Sequence, residues 1–297
     1  MNRERPCEFS LAHLTALSLS PPRLVEVAAR AGYKYVGLRL NRVTPDEPLY
    51  ALAEDRVLMA ETKARLADSG VAVLDIELAR MGPDRDARSY APILEAGAEL
   101  GASHVLTQLP DPDRARALER FCALCELARP LGLGIDLEFV SWTETPDLAA
   151  AASMLRAAGQ PNAGVLVDTL HFARSGSSLE DLGKLPREWF RYAQVCDAPA
   201  QAPATKEEVI HAARFARLFP GEGGLPVREI LARLPPTIPC ALEIPRAFLS
   251  KLLGVEEYVK LALRATDNFL NASGDRALTL NVTGTPPGLT IPAPHRS

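Results

Sequence analysis

The chain has no apolar run near the roughly 18 residues needed to cross a bilayer. Its opening stretch, MNRERPCEFS, also lacks the apolar core of a secretory leader. A cytoplasmic protein with no membrane partner is therefore expected. Basic charge is not in excess: 33 Lys and Arg against 37 Asp and Glu leave a net charge of −4, so no general attraction to nucleic acid is expected. The five cysteines (Cys7, Cys122, Cys125, Cys196 and Cys240) are scattered through 297 residues, which reads as free thiols in a reducing compartment. Cys122 and Cys125 form a CxxC inside the helical stretch ERFCALCELARPLG. No second pair completes a zinc site, so helix packing is expected there. No repeat or low-complexity segment occurs before the C-terminal stretch, and no G-x-G-x-x-G follows the first β-like run, which argues against a dinucleotide-binding sheet.

What the chain does have is alternation. Short runs rich in Val, Ile and Leu fall at 9–15, 35–40, 72–78, 104–110, 134–140, 163–170, 192–198 and 239–245. Helical candidates lie between and after them at 22–32, 49–70, 90–101, 113–132, 147–159, 179–185, 227–235 and 255–270, several stopping at glycine (Gly32, Gly70, Gly101, Gly132, Gly159). Eight strand–helix units predict a parallel sheet with right-handed crossovers, and eight is the number that closes a barrel. The expected fold is thus α/β, a single-domain (β/α)8 TIM barrel over residues 1–273. The open doubly wound sheet is the alternative. Residues 274–297, rich in Pro, Gly and Thr, read as a tail.

In such a barrel chemistry collects where strands end. Those positions carry Glu77, Glu138, Asp168 with His171 just beyond, Gln194, Asp197 and Glu243. A lone carboxylate at any one of them is ordinary. Four oxygen-bearing groups on four successive strands, Glu138, Asp168, Gln194 and Glu243, form a set. Brought to one mouth, three carboxylates repel one another unless one is protonated or a cation lies between them. All-oxygen ligation suits Mg2+ or Mn2+ better than zinc.

The chain resembles the xylose isomerase-like TIM barrels, which include sugar isomerases, ketose 3-epimerases, inosose dehydratase and 3-dehydroshikimate dehydratase. The likeness spans roughly 8–270. It rests on the Glu of LEFV, the D-x-x-H of DTLH, QVCDAP, the R-x-x-PGEG of RLFPGEG and the Glu of LEIP. The resemblance implies one divalent ion (Mn2+, Mg2+ or Co2+) held by Glu138, Asp168, Gln194 and Glu243. Gln194 stands where many members have histidine, a departure from the epimerases that is similar to bacterial 3-dehydroshikimate dehydratases. It further implies that His171 contacts substrate and sets Arg217 near the family's arginine before PGEG. By the bidentate chemistry of arginine, Arg217 and Arg246 are both candidate clamps for a carboxylate or phosphate.

The expected chemistry is proton abstraction next to a carbonyl of a small sugar-like compound, cyclic polyol or keto-acid. Glu138 and Glu243 form the acid–base pair, His171 assists, and dehydration is the first activity to assay. A barrel that binds a metal or ligand without turnover is the alternative. A nuclease of the same fold is the least supported, because its multi-zinc centre needs more histidine than the five present. His13 and His104 read as core, and His211 and His295 as surface. Trp142 reads as a pocket wall or a core residue, and PGEGG (220–224) as a turn or a phosphate loop. A homo-oligomer is possible.

Overall fold

The computed structural model describes residues 7–272. Eight parallel strands pair in sequence order and close on themselves: β1 (Phe9–Leu11), β2 (Tyr35–Arg39), β3 (Ala72–Arg80), β4 (His104–Gln108), β5 (Gly134–Glu138), β6 (Ala163–Asp168), β7 (Ala193–Val195) and β8 (Cys240–Leu242). Closure comes from β1 and β8, with Ser10 opposite Ala241 and Leu11 opposite Leu242. This is the single α/β TIM barrel that the alternation predicts. A parallel sheet under helices is apolar on both faces, and all six residues of β6 are accordingly buried.

The helices are α1 (Pro21–Ala31), α2 (Arg56–Ser69), α3 (Ala91–Glu99), α4 (Arg114–Ala128), α5 (Leu148–Ala158), α6 (Thr169–Arg174), α7 (Leu179–Lys184), α8 (Lys206–Phe215), α9 (Val227–Leu231), α10 (Ala247–Leu253) and α11 (Val255–Asn271). None among the described residues is long and apolar enough to cross a membrane. The helix starts are set by side-chain caps: Asp55, Asp113 and Asp147 accept backbone N–H bonds at the starts of α2, α4 and α5. The five glycines read as stops all take positive φ.

Several sequence boundaries shift, each for a visible reason. The helix expected over 49–70 begins at Arg56, because Asp55 is its cap. The run at 113–132 ends as α-helix at Ala128 and tightens into a 3-10 turn, Arg129–Leu131, around Pro130. His13 lies in a 3-10 turn, His13–Ala16, rather than in the first strand. The strand expected over 163–170 stops at Asp168, whose side chain caps α6, so His171 sits in that helix. The segment between Asp197 and His211, where no helix is expected from the sequence, contains the start of α8 behind a Thr205–Glu208 capping box. The tail at 274–297 lies outside the described residues, as does His295.

Two apolar layers hold the barrel. One, between sheet and helices, runs through Val105, Ile135, Val165 and Phe121. A smaller one inside the barrel comprises Leu74, Leu78, Leu106, Leu166, Tyr192 and Ala241. Above that inner layer the strand ends are polar. Register places Asp168 beside Gln194, and Gln194 beside Ala241, two residues before Glu243.

Candidate active site

Glu138, Asp168, Gln194 and Glu243 are all at least 96% buried, exposing 4%, 0%, 0% and 4% of their surface. Burial of so many carboxylates requires partners, and each has them. Asp168 Oδ1 accepts the N–H groups of Leu170 and His171, at 2.7 and 3.0 Å, while its Oδ2 meets Arg217 Nη1 at 2.6 Å. Glu243 Oε2 meets Arg217 Nη2 at 2.7 Å, and Gln194 Nε2 donates to Glu243 Oε1 at 3.0 Å. Gln108 Nε2 donates to Glu138 Oε2 at 2.5 Å. Glu138 Oε1 lies 3.8 Å from His171 Nε2. Arg217 is thus a fork between two carboxylates, fixed at its root by Nε donating to the Ala213 carbonyl at 2.7 Å.

These contacts separate the protonation behaviour of the three acids. Burial, and then the charges of Glu243 and Asp168, push Glu138 well above the carboxylate range. Burial raises Glu243 to about 7 against the pull of Arg217. Burial would raise Asp168 as well, but Arg217, His171 and the hydrogen bonds outweigh it and hold its carboxyl low. Burial also takes His171 down to about 4, so its ring is neutral near pH 7.

A cavity of about 620 Å³, open solvent at its mouth included, lies over these groups. Glu138, Glu243, His171, Gln108 and Trp142 line it, as do four arginines: Arg39, Arg80, Arg214 and Arg217. Trp142 is a wall, its ring edge-on to His171 at 5.0 Å.

Donor atoms of Glu138, Asp168 and His171 lie within 4.8 Å of one another. Buried Gln194 Oε1 and His171 Nδ1 have no hydrogen-bond partner among the described residues. The converging set is two carboxylates and an imidazole, without Glu243, which Arg217 holds. With the orphaned amide oxygen of Gln194 on the neighbouring strand, these donor types fit a divalent ion.

Other sequence candidates fall elsewhere. Arg246 pairs with Glu222 at 2.7 Å and is not among the cavity-lining residues. Glu77 is wholly buried and paired to Arg39 at 2.8 Å. Asp197 accepts backbone N–H bonds from Ala198, Gly221, Gly223 and Leu225 at 2.7–3.1 Å, so the PGEGG loop is a turn folded around that carboxylate. His13 is fully buried, whereas His104 is 15% exposed and pairs with Asp136 at 2.9 Å. Cys125 is buried inside α4, with its thiol pushed up to about 12. Gln108 and Arg39 escaped the sequence reading, although both end strands; the strand-end rule applied to β2 and β4 would have found them.

Three comparisons complete the description. The family model for the xylose isomerase-like TIM barrel matches residues 25–264. A 3-dehydroshikimate dehydratase of Pseudomonas aeruginosa is 31% identical over 110 residues, a match covering 37% of this chain and only 17% of that protein. Among solved structures, the IOLI protein with a binding zinc atom superposes with a TM-score of 0.73 at 19% identity, over 89% of this chain and 98% of that one. The probable 3-DHS dehydratase AsbF involved in petrobactin synthesis, from Bacillus anthracis, gives 0.67 at 15% identity over 86% and 97%. At such identities the structural likeness is one of fold.

Proposed function

Because the chain belongs to the xylose isomerase-like TIM barrel family, we propose that it is a divalent-metal-dependent enzyme. It removes a proton next to the carbonyl of a small polyhydroxy compound, as an isomerase, an epimerase or a dehydratase. The observation carrying this reading is the asymmetry of the acid pair. Glu138 and Glu243 reach the cavity from β5 and β8, with Asp168 and Gln194 between them. Both oxygens of Glu243 are engaged, by Gln194 and Arg217. Glu138 has one oxygen held by Gln108, and its Oε1 accepts no hydrogen bond among the described residues. Burial favours the protonated form of Glu138; a cation held beside it would favour the carboxylate. That oxygen would then take the substrate proton, with Glu243, on the far side, placed to return one.

Glu138, Asp168, Gln194 and Glu243 are the residues that would hold the ion. Once bound, the ion supplies positive charge for the oxygen on which negative charge develops. His171 stands beside Glu138 as a neutral ring with an unused nitrogen, free to hydrogen-bond a substrate hydroxyl. Trp142 and the inner apolar layer limit water at the reacting carbon. Loss of a β-hydroxyl after deprotonation gives dehydration. The short match to a 3-dehydroshikimate dehydratase, together with glutamine at 194, makes that the first activity to assay.

The test is turnover of a panel containing 3-dehydroshikimate, ketohexoses and inososes with Mn2+, Mg2+ or Co2+. Glu138→Gln and Glu243→Gln should each abolish activity on whichever compound the native protein converts, at native-like circular dichroism. Full activity in both variants would remove the mechanism. A second reading, a barrel that binds ligand without turnover, draws on Arg217, whose guanidinium already neutralises Asp168 and Glu243. Protein that stays metal-free after reconstitution would favour it.

A further inference from the structure

Four arginines line the cavity, and they divide into two kinds. Arg39 and Arg217 are buried and engaged, Arg39 with Glu77 and Glu47, Arg217 with Asp168 and Glu243. Arg80 and Arg214 have no ion pair and no side-chain hydrogen bond among the described residues, yet both face the same cavity. They come from different elements, Arg80 from the last position of β3 and Arg214 from the last turn of α8. The Tyr90 hydroxyl donates to the Arg80 carbonyl at 2.5 Å, which anchors that strand end and leaves the side chain free. Partial burial, and then the like charge of Arg214, lower Arg80 from the ordinary arginine value, so the two guanidinium groups are within electrostatic reach of each other.

From this arrangement we infer that Arg80 and Arg214 form a clamp for an anionic group, carboxylate or phosphate, at the end of the substrate remote from the reacting carbon. Two unpaired like charges facing one space are relieved by a shared anion, and the planar guanidinium fork matches both groups. The other two arginines, Arg39 and Arg217, are already engaged by carboxylates, so Arg80 and Arg214 are the lining cations left for an anion. The proposed ion among Glu138, Asp168, Gln194 and Glu243 would take hydroxyl and carbonyl oxygens, which sets the orientation: those oxygens inward, the anion at the two arginines. A neutral sugar would accept only ordinary hydrogen bonds from either arginine, without the gain of charge pairing. The inference deepens the proposed function and rests on it for the chemistry at the inner end. It selects acidic or phosphorylated polyhydroxy carbonyl compounds over neutral ones.

The experiment is calorimetric titration of the full chain with Mn2+ present, using two matched pairs of probes. Quinate and myo-inositol compare a ring carboxylate with a neutral ring polyol; glucose 6-phosphate and glucose do the same for phosphate. One anion should bind about tenfold or more tightly than its neutral partner, and which pair responds identifies the anion. Arg80→Gln and Arg214→Gln should each remove the preference while leaving neutral-polyol binding unchanged, and Arg80→Lys should retain part of it. Neither arginine has a partner to lose among the described residues, so both Gln variants should keep the native Tm. Equal binding of charged and neutral probes, binding of neither anion, or a preference that survives both variants would overturn the clamp. The two readings fail separately. Glu138-dependent turnover without anion preference leaves the proton-transfer chemistry standing alone. Anion preference in a protein whose turnover survives Glu138→Gln leaves only the clamp.

Discussion

Gln108 holds one oxygen of Glu138, and that contact decides which oxygen is left for the proposed proton transfer. Its removal in Gln108→Leu should lower kcat more than it raises KM, because the carboxylate loses orientation while the cavity keeps its shape. A positioned acid or base contributes about 10²- to 10⁴-fold, so Glu138→Gln should cost at least that range in steady-state assays. His13 offers a prediction about stability. Its Nδ1 accepts the Arg39 N–H and its Nε2 meets the Leu19 carbonyl, both at 2.9 Å, so the neutral Nε2–H tautomer satisfies both neighbours. Burial holds the ring to about 4, against 6.5 for a free histidine. The unfolded chain takes up that proton first as pH falls. The stabilisation is therefore complete above about 6.5 and is lost between there and about 4, a change of roughly 3 kcal/mol. Urea unfolding at pH 7 and pH 4.5 measures it, and His13→Gln should flatten the slope. An unchanged slope would assign the effect to other groups.

At the scale of elements, the strands and long helices were legible because their signals are local: unbroken apolar runs, aspartate caps and glycine stops. The short helices were not. α6 is hidden because its cap, Asp168, is also a strand-end acid, and a single residue was read in one role only. α8 was announced by Thr205 and Glu208 at capping-box spacing, a signal present in the sequence but passed over. The carboxylate set at the mouth was legible from strand order. The fork of Arg217 onto Asp168 and Glu243 was not, since it joins residues 49 and 26 positions apart through packing that no local pattern encodes. The 219–225 turn belongs to the same class. Four backbone N–H groups converge on Asp197, and a Cβ on Gly223 would come within 2.2 Å of the Ala198 carbonyl oxygen. Asp197→Asn puts a donor where an acceptor is needed, and should cost about 2–3 kcal/mol. Hydrogen exchange should quicken at Gly221, Gly223 and Leu225 before the strands respond.

At the scale of the whole molecule, the proposed ion ties β5, β6, β7 and β8 together, so its binding should stabilise the fold. Saturation to a hundredfold over Kd adds about 2.7 kcal/mol, which for a barrel of this size is a rise in Tm of several degrees. Thermal unfolding with EDTA, and then with graded Mn2+, Mg2+ or Co2+, reads this directly. Asp168→Ala should abolish the dependence, and a Tm indifferent to all three ions would count against the site. The pairing of β1 with β8 has a consequence for biosynthesis. A nascent chain arrested before Cys240 leaves β1 and β7 as open parallel edges, the kind of surface on which chains aggregate. It also lacks Glu243. Translation thus delivers the acid of the proposed pair and the strand that seals the barrel within the same few codons, and an unfinished copy would lack both.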